Sequence, residues 1–121
     1  MYESGEMYLE TILLLQNELG TVRSIDVARR LEFSKPSVSR AMGLLKTGQY
    51  IIIDGNGHIV LTEKGLKTAT NILEKHRLIT QFLALTTNVP IKIAEEDACR
   101  MEHIISDEVM NGIKAFLKNN S

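Results

Sequence analysis

The sequence has little of several residue types that define other classes of protein. Its 121 residues include one Cys, two Pro and no Trp, and aromatic residues make up 5%. A single Cys cannot form an intramolecular disulfide, which excludes a disulfide scaffold and fits a reducing compartment. No apolar run approaches the roughly 20 residues of a membrane span, and no basic segment precedes an apolar one at the N-terminus. We therefore expect a cytoplasmic protein with no membrane partner.

The charged residues are unevenly distributed along a chain whose formal net charge is −1. Residues 1–20 hold four acidic residues and no basic one, whereas residues 21–50 hold six basic and two acidic residues. A cationic segment inside a neutral protein is typical of phosphate-binding surfaces. The alternative at this stage is an ordinary solvated helical face, which most charge runs are.

The spacing of apolar residues predicts a mostly α-helical chain that begins with three helices and a hairpin. Apolar positions three and four apart predict helices over residues 5–19, 25–31 and 35–47, with Ser24 and Ser34 as N-caps of the second and third. Two β-rich runs, 50–53 and 58–61, flank the turn-forming residues 54–57 and predict a β-hairpin. This order is that of a winged helix-turn-helix with a two-stranded wing, over residues 1–62.

The rest of the chain is predicted to be helical. Thr62 is suited to cap a long helix that runs to about residue 85, and the segment 86–90 breaks it. A fifth helix is expected over residues 92–105, and Ser106 opens a sixth. We therefore expect a second, helical domain over residues 63–121.

The second helix of a helix-turn-helix places its first turns in the major groove, which identifies the candidate DNA-binding residues. At the start of the predicted recognition helix these residues are Ser34, Lys35, Pro36, Ser37, Ser39 and Arg40. Short hydroxyls and a proline ring can reach base edges and thymine methyl groups, and Arg40 can bind guanine or a phosphate. Arg23 and His58 are candidate contacts to the DNA backbone. The alternative is a structural three-helix unit whose serines are only caps.

A second group of residues has the chemistry of metal ligands. Cys99, Glu102 and His103 stand at positions i, i+3 and i+4 of the predicted fifth helix, which would place them on one face. A thiolate, a carboxylate and an imidazole are good ligands for first-row metals. The further candidates are Met7, Glu10, His76 and Glu95. Each also has a duller interpretation, since Met7 could be core and Cys99 a small buried hydrophobe.

No motif in the sequence indicates an enzyme. A His-Glu-x-x-His pair, a Gly-rich phosphate loop and a nucleophile elbow are all missing. Two alternatives to a metal-activated regulator stay open at this stage. One is a winged-helix regulator that senses a small organic ligand, and the other is a metalloenzyme or metal carrier whose winged helix is only a scaffold.

Six stretches of the sequence together resemble the metal-dependent repressors typified by the diphtheria toxin repressor and the manganese transport regulator. The matching stretches keep their order and spacing over nearly the whole chain: Glu6–Glu10, Ser34–Ser39, Leu61–Gly65, Lys75–Leu78, Asp97–His103 and Ser106–Val109. The resemblance implies a homodimer in which residues 63–121 form a metal-binding and dimerisation domain, without the SH3-like third domain of longer members. It also implies a transcriptional repressor that binds palindromic operators of metal-uptake genes, with no organic substrate.

The resemblance further implies which metal is bound and by which residues. Fe(II) or Mn(II) would be the co-repressor, and Co(II), Ni(II) or Zn(II) could substitute in vitro. The primary site of the iron-responsive branch corresponds to Met7, Cys99, Glu102 and His103. Glu10 and His76 match ligands of the manganese branch, and His76 also matches an ancillary site of the iron branch. That ancillary site uses a His where this chain has Glu95 and a carboxylate where it has Thr80, so the chain departs from the pattern there.

Overall fold

A computed structural model of the chain describes residues 3–120, which form six helices and one two-stranded antiparallel sheet. The elements are α1 (Glu3–Leu19), α2 (Ser24–Leu31), α3 (Lys35–Thr47), β1 (Ile51–Ile53), β2 (Ile59–Leu61), α4 (Glu63–Thr87), α5 (Ile91–Met101) and α6 (Asp107–Asn119). The chain divides between Thr70 and Asn71 into two compact units, and α4 contributes residues to both. We call them the first unit and the second unit. Among the described residues, no helix is both long enough and apolar enough to cross a membrane.

The helix-turn-helix of the first unit is closed by local backbone chemistry. Glu32 ends α2 in the left-handed conformation, with φ 57°. The Ser34 hydroxyl then accepts the backbone N–H of Ser37 at 3.3 Å, and Pro36 lies in the first turn of α3, where a missing N–H costs little. The predicted turn and the predicted cap at Ser34 are therefore confirmed.

The wing is a short hairpin that buries the first residue of each strand. Ile51 pairs with Leu61 and Ile53 pairs with Ile59. Ile51 and Ile59 are buried, whereas Ile52, Ile53 and Val60 are exposed. The backbone N–H of Ile59 also donates to the Val22 carbonyl at 2.7 Å, so the wing is tied to the segment that precedes α2.

The first unit is held together by an apolar core to which three helices and the hairpin contribute. Its most deeply buried side chains are Leu9, Ile12, Val22, Val27, Val38, Met42 and Ile51. Full burial of one such side chain is worth about 1.5–3 kcal/mol relative to leaving it exposed. The predicted fold class, mostly α with an N-terminal winged helix-turn-helix, is confirmed.

The second unit has its own core at the meeting of α4, α5 and α6. Ile79, Ala98, Met110 and Ile113 form its buried cluster. Phe82 of α4 and Phe116 of α6 meet edge to face, with ring centroids 5.4 Å apart. Such contacts add about 0.5–1.5 kcal/mol to the burial of the rings. The predicted domain boundary after residue 62 stays a prediction.

Two element boundaries differ from the sequence-based expectation. α2 begins at Ser24, and its N-cap is Arg23, whose backbone N–H donates to the Asp26 carboxylate at 2.9 Å. α5 ends at Met101, not at residue 105, because the Ile104 and Ile105 N–H groups both turn back to the Met101 carbonyl. Residues 102–104 therefore form a turn, and α6 follows after the predicted cap Ser106.

The start of α4 packs closely against the end of the segment that joins α3 to β1. The Thr62 hydroxyl donates to the Gln49 carbonyl at 2.7 Å and accepts the Gly65 N–H at 3.0 Å, so Thr62 is the predicted cap. A Cβ atom on Gly65 would lie 1.9 Å from the Tyr50 carbonyl oxygen. Only glycine allows this approach without a shift of the backbone.

We predict that Gly65→Ala lowers the free energy of unfolding by about 1–3 kcal/mol, because the added methyl group forces the α4 backbone away from Tyr50. The matched control is Gly43→Ala within α3, where a Cβ atom would meet nothing within 4 Å. That change should raise the free energy of unfolding by about 0.5–1 kcal/mol. Urea unfolding of both variants measures the difference, and an equal effect at the two positions would contradict the packing described.

Candidate functional site

The start of α3 presents a polar, cationic surface. Lys35, Pro36, Ser39 and Arg40 are exposed, whereas Val38 is buried in the core of the first unit. No acidic residue occurs in the helix. The structure therefore places four of the predicted DNA-binding residues together on the exposed side of the predicted recognition helix.

The hydroxyls of Ser34 and Ser37 are engaged in holding the start of this helix. Ser34 Oγ accepts the Ser37 N–H and also lies 2.8 Å from Ser37 Oγ, to which it donates. Ser37 is partly buried, whereas Ser34 is exposed. Capping is thus the role that the structure gives to Ser34, and contact of either serine with DNA stays a prediction.

The turn of the wing is organised by Asp54. One oxygen of its carboxylate accepts the backbone N–H groups of Asn56 at 2.8 Å and His58 at 2.9 Å. The other oxygen lies 3.4 Å from Nδ1 of the His58 ring. The His58 N–H is the main cause that lowers the pKa of the Asp54 carboxyl below its ordinary value of 3.8. The sequence analysis missed this residue, although Asp at the start of a Gly-rich turn is a known signal of side-chain-to-backbone bonding.

Arg23 lies against the same turn. Its Nη1 atom is 3.3 Å from the position that a Cβ atom on Gly57 would take, and Gly57 has a φ of 78° that favours glycine. Arg23 is exposed and His58 is partly buried. The structure therefore brings the two predicted backbone contacts, Arg23 and His58, to one end of the hairpin.

The second unit contains a carboxylate between two imidazoles. Nδ1 of His76 on α4 lies 2.9 Å from Glu102 Oε2, and Nε2 of His103 lies 3.3 Å from Glu102 Oε1. The Glu102 side chain is fully buried, and 8% of the His103 side chain is exposed. A buried carboxylate is costly unless positive charge compensates it. Imidazole nitrogens and a carboxylate oxygen are ligands of Fe(II), Mn(II) and Zn(II), and the ligand atoms of His76 and Glu102 lie close enough together to bind one such ion.

Two of the other predicted metal ligands lie on α5. Cys99 and Glu95 are exposed on α5. α5 ends at Met101, and its C-cap Glu102 keeps right-handed helical backbone angles, with its N–H donating to the Ala98 carbonyl. The shared face expected of Cys99, Glu102 and His103 stays a prediction. Metal binding by Cys99 and Glu95 stays a prediction.

In the first unit, Met7 is partly buried and Glu10 is buried on α1, and their role as ligands also stays a prediction. Thr80, which stands where an ancillary carboxylate is expected, is buried on α4. Its hydroxyl donates to the His76 carbonyl at 2.7 Å. Thr80 therefore bonds to the helix backbone one turn before it.

A winged helix-turn-helix unit, followed by a helical unit with a buried carboxylate between two imidazoles, defines the class of metal-dependent DNA-binding regulators. The chain belongs to the iron-dependent repressor family. Residues 1–59 match its "Iron dependent repressor, N-terminal DNA binding domain" and residues 62–121 its "Iron dependent repressor, metal binding and dimerisation domain". The predicted resemblance is confirmed, and the family is one of transcriptional repressors, not enzymes.

Relatives match along almost the whole chain. The iron-dependent repressor IdeR of Mycobacterium leprae (strain TN) is 34% identical over 119 residues, which are 98% of this chain and 52% of that protein. The diphtheria toxin repressor of Corynebacterium diphtheriae is 32% identical over 119 residues, 98% of this chain and 53% of that protein. An uncharacterized HTH-type transcriptional regulator of Methanocaldococcus jannaschii is 34% identical over 119 residues, 98% of this chain and 95% of that protein. The chain thus spans about half the length of the two named repressors.

The fold is also similar to that of a solved structure of the manganese regulator SloR. The TM-score is 0.83 at 29% sequence identity, over 94% of this chain and 53% of that chain. The structural likeness therefore extends to a regulator named for manganese, whereas two of the sequence relatives above are named for iron and for a toxin.

We predict that Asp54→Ala removes the order of the wing turn without unfolding the chain, because the two backbone N–H groups lose their acceptor. Amide hydrogen exchange measured by NMR should become faster at Asn56 and His58. In the native chain the protection should be present above the ordinary carboxyl pKa of 3.8 and be lost as the pH falls through the lowered value. Asp54→Asn keeps an acceptor oxygen and is the matched control. Unchanged exchange in Asp54→Ala would contradict the assignment.

Proposed function

We propose that the chain is a metal-activated transcriptional repressor that binds operator DNA as a homodimer. The observation that carries the proposal is the buried Glu102 carboxylate between His76 and His103, in the part of the chain that matches a metal-binding and dimerisation domain. The exposed cationic start of α3, in the part that matches a DNA-binding domain, supports the other half of the proposal.

The proposed metal is Fe(II), with Mn(II) as the other candidate. Carboxylate ligands suit Mn(II), whereas a thiolate would favour Fe(II) or later metals, so the choice depends on whether Cys99 binds. One relative is named for iron and one solved structure for manganese. Co(II), Ni(II) and Zn(II) should bind more tightly than either in vitro, because affinity for nitrogen and oxygen ligands rises along the first-row series.

For the first unit we propose that α3 lies in the major groove. Arg40 would bind a guanine edge or a phosphate, and Ser39 and Lys35 would lie beside it. In a homodimer, two such helices would read a palindromic operator whose half-sites lie about one helical turn apart. We assign DNA binding to residues 1–62, and metal binding and dimerisation to residues 63–121.

Metal binding and DNA binding would then be linked thermodynamically. If metal raises the affinity for DNA, DNA must raise the affinity for metal by the same factor. A coupling of about 3 kcal/mol corresponds to roughly 150-fold in affinity, which is sufficient for a regulatory switch. Because imidazoles and a thiol must lose protons to bind metal, activation by metal should weaken as the pH falls.

We predict that Glu102→Gln lowers the affinity for Mn(II), and for Fe(II) under anaerobic conditions, by at least about tenfold, because the amide keeps the shape of the side chain but removes its charge. Calorimetric titration of the metal measures the change, and circular dichroism checks that the variant is folded.

The matched control for this variant is Glu96→Gln, which removes the same charge at an exposed position of α5. Its metal affinity should stay within about twofold of that of the native chain, since an exposed carboxylate contributes little at a distance. An equal loss in both variants would show that the loss reflects overall charge, and the assigned site would be wrong.

We predict that Arg40→Ala weakens DNA binding by about 1–3 kcal/mol if Arg40 binds a base. If Arg40 binds a phosphate, the substitution should lower the slope of log affinity against log salt concentration by about one. The probe is a pool of duplexes that the native protein selects from random sequence with Mn(II) present. Lys46→Ala is the control, since it removes one exposed basic residue from the last turn of the same helix. The proposed orientation of α3 is contradicted if Lys46→Ala has the larger effect.

Chelation of the metal tests the coupling itself. With EDTA the affinity for the same duplexes should fall by up to roughly 150-fold, the factor that corresponds to a coupling of about 3 kcal/mol. Added Mn(II) should restore the affinity. If chelation leaves the affinity unchanged while the protein still binds DNA, the regulator of a small organic ligand becomes the better explanation.

A further inference from the structure

The turn of the wing holds a histidine whose two ring nitrogens differ in their surroundings. Nδ1 of His58 lies 3.4 Å from the Asp54 carboxylate, and 26% of the His58 side chain is exposed. The same carboxylate accepts the backbone N–H of His58 at 2.9 Å, so the residue is held to Asp54 at both its backbone and its ring. The Asp54 contact therefore fixes the state of Nδ1 and leaves Nε2 for another ligand.

A carboxylate beside Nδ1 determines what Nε2 can do. In the neutral ring the carboxylate favours a proton on Nδ1, which leaves Nε2 as an acceptor that cannot donate to an anion. In the protonated ring both nitrogens carry a proton, so Nε2 becomes a charged donor. Protonation thus changes the same atom from one that repels a phosphate oxygen to one that binds it.

We propose that His58 gives the wing a phosphate contact that forms only when its ring is protonated, so that DNA binding strengthens as the pH falls. The inference rests on the proposed DNA-binding function of the first unit. It assigns to the wing a dependence on pH opposite in sign to the one expected of metal binding.

The charged groups that face this turn make the change in charge effective. Asp54 comes from the hairpin and Arg23 from the start of α2, where its guanidinium lies against Gly57. The Asp54 carboxyl stays ionised at neutral and mildly acidic pH, since the His58 N–H lowers its pKa. With a neutral His58 the charges of Arg23 and Asp54 cancel. With a protonated His58 the turn carries one net positive charge.

The experiment compares the native chain with His58→Gln on the selected duplexes described above, with Mn(II) kept saturating between pH 6.0 and 8.0. Gln is a neutral side chain that can still donate a hydrogen bond, and the effect of pH on the metal site is common to both proteins. The dissociation constant of His58→Gln for DNA, divided by that of the native chain, should rise as the pH falls, to roughly tenfold at pH 6.0. In the native chain the slope of log affinity against log salt concentration should be steeper by about one at pH 6.0 than at pH 8.0. In His58→Gln the slope should be the same at both pH values.

Asp54→Asn tests the orienting role of the carboxylate. The amide oxygen can still accept the two backbone N–H groups, but its NH2 group would donate to Nδ1 and so place the proton of the neutral ring on Nε2. This variant should bind DNA at pH 8.0 at least as tightly as the native chain and show a weaker dependence on pH. A loss of affinity that is the same at every pH would overturn the orienting role of Asp54.

The outcomes separate this inference from the proposed function. If the native chain and His58→Gln both bind DNA and their ratio does not change with pH, the phosphate contact is overturned and the repressor function stands. If the native chain binds no DNA at any pH, the proposed function fails first. An NMR titration of the His58 ring gives an independent check, since the ring should titrate at higher pH once DNA is added, and an unchanged titration would overturn the contact.

Discussion

The buried carboxylate of Glu102 is the constraint on which the organisation of the second unit depends. A carboxylate taken out of water costs several kcal/mol unless positive charge and hydrogen bonds compensate it. Nδ1 of His76 is hydrogen-bonded to Glu102 Oε2 at 2.9 Å, and Nε2 of His103 lies 3.3 Å from Glu102 Oε1. α5 ends at Met101, and Glu102 and His103 lie in the turn that follows it. The turn places the carboxylate and one of the two imidazoles next to each other in the sequence, and α4 contributes the other imidazole.

In the first unit the comparable constraint is the turn geometry around the recognition helix. α3 can present its polar side only if its start is fixed, and the Ser34 cap fixes it. The wing is fixed in turn by the Ile59–Val22 hydrogen bond and by Asp54. Each of these contacts involves a backbone group, so backbone hydrogen bonding fixes the elements that carry the exposed side chains.

Local sequence signals predicted most of the fold, and distant contacts in the site could not be predicted in the same way. Ser34, Thr62 and Ser106 predicted three helix starts, since a capping hydroxyl acts within three residues. The end of α5 was missed because apolar spacing continues past Met101, and only the backbone shows that the N–H groups turn back. The approach of His76 to Glu102 joins residues 26 positions apart, which periodicity does not encode. Spacing along the predicted helix placed Glu102 among the candidate ligands, and His76 was named as a candidate with no contact to Glu102 predicted.

Within residues 3–120, histidines meet a carboxylate at the wing and in the second unit, and the two places differ in burial. At the wing both side chains are partly exposed, so water can exchange a proton with the imidazole and the pair can respond to pH. In the second unit the Glu102 side chain is fully buried, so its charge must be matched by groups fixed in place, as the proposed divalent cation would do. The same two functional groups therefore suit a proton-dependent contact at the surface and a metal site in the interior. Because the first should strengthen DNA binding in acid and the second should weaken it, the native pH profile reports the balance of the two, and only substitution of His58 resolves them.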